Sequence, residues 1–113
     1  MIDPSRVKGY HAHIYYDALS RPRAAELREA VEHRFDIRMG RWHDVPIGPH
    51  ARAMYQVAFT PAQMSALLAW LMLNRRGLAV LVHPETGREL ADHTTHAAWL
   101  GEVLSLRTEV LAA

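Results

Sequence analysis

No cysteine occurs among the 113 residues. That excludes disulfides, thiolate zinc sites, iron–sulfur clusters and cysteine nucleophiles, and it suits a reducing cytoplasm. A charge excess of one sign is lacking too. Thirteen Lys and Arg against twelve Asp and Glu leave a formal net charge of +1, and the arginines are scattered along the chain. Nucleic-acid binding needs a clustered basic face, so no nucleic-acid partner is expected. The longest apolar run, Ala66 to Leu73, falls far short of the ~20 residues a membrane span needs. Met1-Ile2-Asp3-Pro4-Ser5-Arg6 has neither an apolar core nor a cleavage pattern. A cytoplasmic protein with no membrane partner is therefore expected. Gly-rich phosphate loops, G-x-S-x-G elbows and H-E-x-x-H helices are missing as well.

What is present is enough apolar material, half of all residues, to bury a core within one domain spanning residues 1–113. The small size leaves much surface exposed and favours oligomerisation. Lys8 to Asp17 alternates and is rich in aromatic and β-branched residues, as a strand should be. His11, His13 and Tyr15 then share one face, and Tyr10, Ala12, Ile14 and Tyr16 the other. Ser20 can cap a helix carrying Ala24, Leu27, Val31 and Phe35 at helical spacing. Ile37 to Trp42 is a short strand candidate, His43 to His50 a loop, and Arg52 to Phe59 a strand. Thr60-Pro61-Ala62-Gln63 offers a cap, an early proline and a capping-box glutamine for a second helix, which Gly77 can end. Leu78 to Val82 reads as a central strand. Thr95 to Gly101 is expected to form a helical turn, and Leu104 to Val110 an edge strand or last helix.

The order strand, helix, strand, strand, helix, strand is the α+β, ferredoxin-like β-α-β-β-α-β plan. It has an antiparallel sheet with two helices on one face. The other face must be covered by the tail, a partner subunit or a ligand. In this plan the first and fourth strands are neighbours, which sets His11 and His13 beside the strand that ends at His83.

Eight histidines is a high density, and neutral imidazole is the commonest metal ligand and acid–base group near pH 7. The pair His11 and His13 lies on one strand face about 6.6 Å apart at the backbone, so both can reach one ion. A wet subunit interface is the plainer explanation. His83 at a strand end adds a third imidazole, or is a turn-entry histidine bonded to backbone. Three protein ligands leave coordination positions open, as catalysis requires. His50 after Gly48-Pro49 is a ligand, a base or a loop residue. Asp92 can cap a turn that carries His93 and His96. His33 and His43 are expected on the surface. Trp42, Trp70 and Trp99 are expected in the core or an interface, and Glu85 and Glu89 on turns and surface. Those two glutamates could otherwise supply the carboxylate of a 2-His-1-carboxylate site.

The motifs His11-Ala-His13-Ile-Tyr15-Tyr16, Gly48-Pro49-His50, Leu81-Val82-His83-Pro84-Glu85-Thr86-Gly87 and Asp92-His93-Thr94-Thr95-His96-Ala97-Ala98-Trp99-Leu100-Gly101 together resemble the DOPA 4,5-dioxygenase family. The resemblance covers nearly the whole chain. It implies a dimeric α+β barrel and extradiol ring cleavage of a catechol, L-DOPA being the namesake substrate, with non-haem Fe(II) and O₂. Zinc or another divalent ion could occupy the site as isolated. On this basis His11, His13 and His83 are the expected metal ligands, and His50 the acid–base group or an exchange partner with one of them. Tyr15 is expected to bond substrate or to pack at an interface, Arg52 to meet a substrate carboxylate or to be a solvated arginine, and His93 and His96 to support the ligands from outside or to lie on the surface. The alternatives are a non-enzymatic dimeric αβ-barrel that binds a small aromatic ligand or metal, and metal-free acid–base chemistry.

Overall fold

Alternation along the first strand divides the molecule. In the computed structural model, which describes residues 1–113, strand β1 (Tyr10–Tyr15) sends Ala12 and Ile14 into an apolar core and His13 and Tyr15 to the opposite face. The remaining elements follow in the expected order. Helix α1 (Arg21–Arg34) leads to β2 (Arg38–Met39) and β3 (Met54–Phe59). Helix α2 (Met64–Asn74) leads to β4 (Val80–Pro84). Ala24, Leu27 and Val31 of α1 and Leu67 and Leu71 of α2 meet Ala12, Ile14, Tyr55, Val57, Val80 and Val82 in one cluster. Both helices therefore cover the same sheet face, as the ferredoxin-like plan requires.

With Ala98–Leu100 as β5, the sheet is antiparallel and open, in the order β2-β3-β1-β4-β5. His11 stands directly opposite His83, the neighbour relation expected from topology alone. The fifth strand corrects the sequence reading. Thr95 to Gly101 forms no helical turn. The helical turn comes earlier, as α3 (Glu89–His93), and Ala98–Leu100 pairs with β4 as β5. Trp99 gains more by stacking on Tyr15, with ring centroids 5.8 Å apart, than a solvated turn would give it.

Leu104 to Val110 is neither an edge strand nor an α-helix. It runs extended, makes a single bridge from Leu106 to His50, and closes with a 3-10 turn at Thr108–Val110. Leu104 and Leu106 pack with Tyr15, Met54 and Leu81 on the face away from the helices. The tail thus covers part of the face that the topology left open.

Two caps also differ from expectation. Ser20 and Thr60 make no side-chain cap bond. Ser20 instead exchanges hydrogen bonds with Asp17, and Pro61–Gln63 form a 3-10 turn before α2. Gly77 takes the positive φ of 80° expected of a helix stop.

Candidate metal centre

The face of the sheet away from the helices carries a cluster of five imidazoles. His11 and His13 come from β1, His83 from β4, His50 from the loop before β3, and His93 from α3. Two overlapping triads have their ligand atoms within 4.8 Å of one another: His11, His13 and His83, and His13, His50 and His93. His13 belongs to both. His13, His50 and His83 are buried, at 3%, 4% and 1% exposure.

Local structure fixes most of these rings. His83 donates from Nδ1 to the carbonyl of Pro84 at 3.0 Å. His93 donates from Nδ1 to the carbonyl of Glu89 at 2.7 Å, one helical turn back. His11 Nδ1 lies 3.0 Å from the Glu85 carboxylate. A carbonyl or carboxylate can only accept. When neutral, each of these three rings therefore carries its proton on Nδ1 and keeps the Nε2 lone pair free. Outer hydrogen bonds of this kind orient metal-binding histidines and raise their basicity.

The His50 loop is clamped on two sides. Ile47 and His50 bond each other's backbone across a turn in which Gly48 takes a φ of 55°. The Arg107 N–H of the tail donates to the Pro49 carbonyl at 2.8 Å. His50 Nδ1 shares a 2.7 Å hydrogen bond with the Tyr15 hydroxyl.

Burial and mutual repulsion favour the neutral form of His11, His13, His50 and His83. Burial, and then repulsion from His50, His83, His11 and His93, pushes the His13 pKa well below the ordinary histidine value. Burial is also the main reason that His50 and His83 each fall to about 4. His11 is lowered by burial, then by His93 and by the Arg38 guanidinium. Burial pushes the Tyr15 hydroxyl up, which keeps it a proton donor.

The residues fit a divalent cation. Neutral imidazole is the ligating form, and the set suits iron, zinc, copper or nickel. The packing also asks for an electrophile. His13 Nδ1 is buried without a hydrogen-bond partner, while His13 Nε2 and His83 Nε2 face each other at 3.0 Å. Because His83 spends its proton on Pro84, only His13 can supply the one between them. A bound cation could take the place of that proton.

His93 joins the inner cluster, its ring centroid 4.0 Å from that of His83. His96 stays outside and donates from Nδ1 to Asp92 at 3.0 Å. Asp92 is not a helix cap. It is buried within α3 and accepts from the Thr86 N–H at 2.9 Å and the Thr86 hydroxyl at 2.7 Å. Burial opposes its ionisation, but the bonds from His96 and Thr86 outweigh it and hold its pKa down. Arg52 is exposed and lies 3.8 Å from Glu102. His33 is exposed and His43 half-buried. Glu85, read from sequence as a turn residue, touches both His11 and His83, at 3.0 and 3.7 Å. The signal for it was strand alternation, since Glu85 lies two residues beyond His83.

Comparison with known proteins agrees with this geometry. The chain is 39% identical over 115 residues to an uncharacterized 21.2 kDa protein of Botryotinia fuckeliana, covering 90% of this chain and 63% of that one. It is 35% identical over 106 residues to a DOPA 4,5-dioxygenase of Amanita muscaria, covering 86% of this chain and 46% of that enzyme. It thus spans between about half and just under two thirds of the length of these relatives. The crystal structure of a provisionally named dioxygenase from Nostoc punctiforme matches with a TM-score of 0.96 at 51% identity, over 97% of this chain and 96% of that one. The profile of the Dopa 4,5-dioxygenase family matches residues 10–110, and the chain belongs to that family.

Proposed function

We propose that the protein is an extradiol-type dioxygenase that opens the ring of L-DOPA or a related catechol. The observation that carries this reading is the imidazole cluster whose two triads converge on the buried His13. His11, His13 and His83 are the proposed ligands of Fe(II), with His93 from the second triad at the same centre. Held there, Fe(II) would supply the O₂-activating and Lewis-acid chemistry by which both oxygen atoms enter a ring-opened product.

The chain's own residues handle the protons. A catechol must lose protons to chelate a metal through both oxygens. His50, with a pKa near 4 in the metal-free site, is unprotonated at neutral pH and can accept one at Nε2 if Tyr15 donates to its Nδ1. The protonated ring can return that proton to the product. This is general-base and then general-acid work by one imidazole. Trp99 stacks on Tyr15 and Leu104 packs beside it, which limits the hydroxyl's access to water.

A homodimer belongs to the same reading, because a second open sheet facing this one would complete a barrel. No helix of the structure is long and apolar enough to cross a membrane, and the proposed setting is the cytoplasm.

The test is anaerobic reconstitution with Fe(II), followed by L-DOPA and other catechols in air. O₂ uptake with a yellow ring-opened product is expected, and His50→Ala should slow turnover about 100-fold or more. Binding of catechols without O₂ uptake would leave a ligand-binding protein and defeat the enzymatic reading.

A further inference from the structure

Beside the imidazole cluster lies a part of the same sheet face that the proton chemistry does not use. In the register of the sheet, Arg38 of β2 stands opposite Ala58 of β3, Ala58 opposite His11 of β1, and His11 opposite His83 of β4. Directly opposed residues point to the same side. Arg38, Ala58, His11 and His83 therefore form one row across the sheet, on the histidine face. Two strand spacings, about 10 Å, separate the backbones of Arg38 and His11, and only the methyl group of Ala58 stands between them. In the adjoining row Gly40, which has no side chain, lies against Gln56. A Cβ on Gly40 would meet the Gln56 carbonyl at 3.1 Å.

The result is a cavity of about 490 Å³ lined by Lys8, His11, Asp36, Arg38, Ala58 and Glu85 among others. One end opens on the cluster through His11. Arg38 is exposed and enters no ion pair, whereas Arg21, Arg28, Arg52 and Arg76 are each tied to a carboxylate. Of the two acids in the cavity, Glu85 is engaged by His11 and His83. Asp36 is exposed and unpaired, two residues before Arg38.

We infer that Arg38 anchors a carboxylate carried on a short arm of the ligand whose ring meets the histidines. The guanidinium fork matches a carboxylate in two parallel hydrogen bonds. The separation of about 10 Å suits an aromatic ring with an arm of two or three carbons. This assigns specificity to Arg38 rather than to Arg52, and it rests on the ring-binding reading of the cluster. Arg38 is a positioning residue. It moves no proton and touches the ligand away from the reacting atoms.

The experiment is calorimetric titration of the Fe(II)-loaded protein without O₂, using 3-(3,4-dihydroxyphenyl)propionate, 4-ethylcatechol and 3-phenylpropionate. The native protein is expected to bind the catechol acid about tenfold or more tightly than the neutral catechol, as a charge-assisted pair gives. Arg38→Gln should erase that preference and leave the neutral catechol's affinity unchanged. Ala58→Leu, which fills the floor of the cavity, should weaken both. Turnover of the acid by Arg38→Gln should show a raised KM with kcat little altered. Survival of the preference in Arg38→Gln, or its loss in Arg52→Gln instead, overturns the proposal. If 3-phenylpropionate binds and depends on Arg38 while no catechol adds affinity, the carboxylate anchor stands and the catechol reading of the centre fails.

Discussion

The two faces of the sheet are made from the same strands and differ in almost every physical respect. Toward the helices, Ala12, Ile14, Tyr55, Val57, Val80 and Val82 are apolar and at most 3% exposed. Removing such surface from water is the main favourable contribution to folding. Away from the helices, the same strands carry His11, His13, Tyr15 and His83. Buried imidazoles lose hydration that they recover only in part, and His13 Nδ1 recovers none. One face is apolar, and on the other the apolar packing of Met54, Leu81 and Leu104 adjoins a costlier site where nitrogen lone pairs converge. Tyr55 sits in the apolar core, and its hydroxyl is satisfied there by the Ala24 carbonyl at 2.7 Å.

The largest effect should come from exchanging the logic of the two faces. His13→Leu removes the ligand common to both triads, so metal affinity should fall by more than about 100-fold. The metal-free variant should be as stable as the native chain or about 1 kcal/mol more so, because an unpaired buried polar atom is gone. Leu67→Ala, on the other face, should cost about 2–5 kcal/mol and leave metal stoichiometry per folded molecule unchanged. Urea unfolding with metal analysis after dialysis measures both. Native stoichiometry in His13→Leu would refute the ligand assignment, and equal destabilisation of the two variants would refute the division between faces.

A smaller effect separates the faces by pH. In the metal-free folded protein His50 and His83 titrate at about 4, and in the unfolded chain at roughly 6.5. Between those values the unfolded chain binds more protons than the folded one, so stability rises with pH across that window. Acidification from pH 7 to pH 4 should therefore cost on the order of 3 kcal/mol for each of the two rings. Leu67→Ala should lower the whole stability curve without changing this slope. Bound metal should steepen it, since ligands must be deprotonated to bind. A flat metal-free profile between pH 4.5 and 6.5 would show that the folded cluster accepts protons freely.

Strand phase made much of this legible in the sequence. The alternation around Ala12 separates His11, His13 and Tyr15 from the core, and the split β-α-β order places His83 beside them. His50 was readable only as a candidate, because its position depends on the Ile47–His50 turn and the Arg107 bond from the far end of the chain. The tail resisted for a similar reason. Leu104 and Leu106 are fixed by packing on Tyr15 and Met54, and no local periodicity encodes that. The sequence places His93 outside the ligand set and makes Asp92 a cap, because α3 is a five-residue helix, too short to show a pattern. Arg52 looked suitable from its nearness to His50 in sequence, yet cross-strand register brings Arg38 into line with the cluster.

The smallest predicted effect tests whether the histidine face needs support from outside its ligands. The Asp92 carboxylate makes no hydrogen bond to the imidazoles of the two triads, but it joins Thr86 after β4 to His96 after α3 and so holds the helix that carries His93. Asp92→Asn keeps the volume and exchanges one acceptor oxygen for a donor, so either Thr86 or His96 must let go. Metal affinity should fall about tenfold through His93, with a stability loss near 1 kcal/mol. Asp44→Asn is the matched control. Asp44 accepts from Arg21 and Tyr16 at 2.9 and 2.7 Å and serves the edge of the apolar core rather than the cluster. Its loss should alter stability by a similar amount and metal affinity not at all. Competition with a chelator of known affinity resolves a tenfold change. Equal affinities in the two variants would mean that His93 holds its place without Asp92, so that the centre depends on the β1 and β4 imidazoles alone.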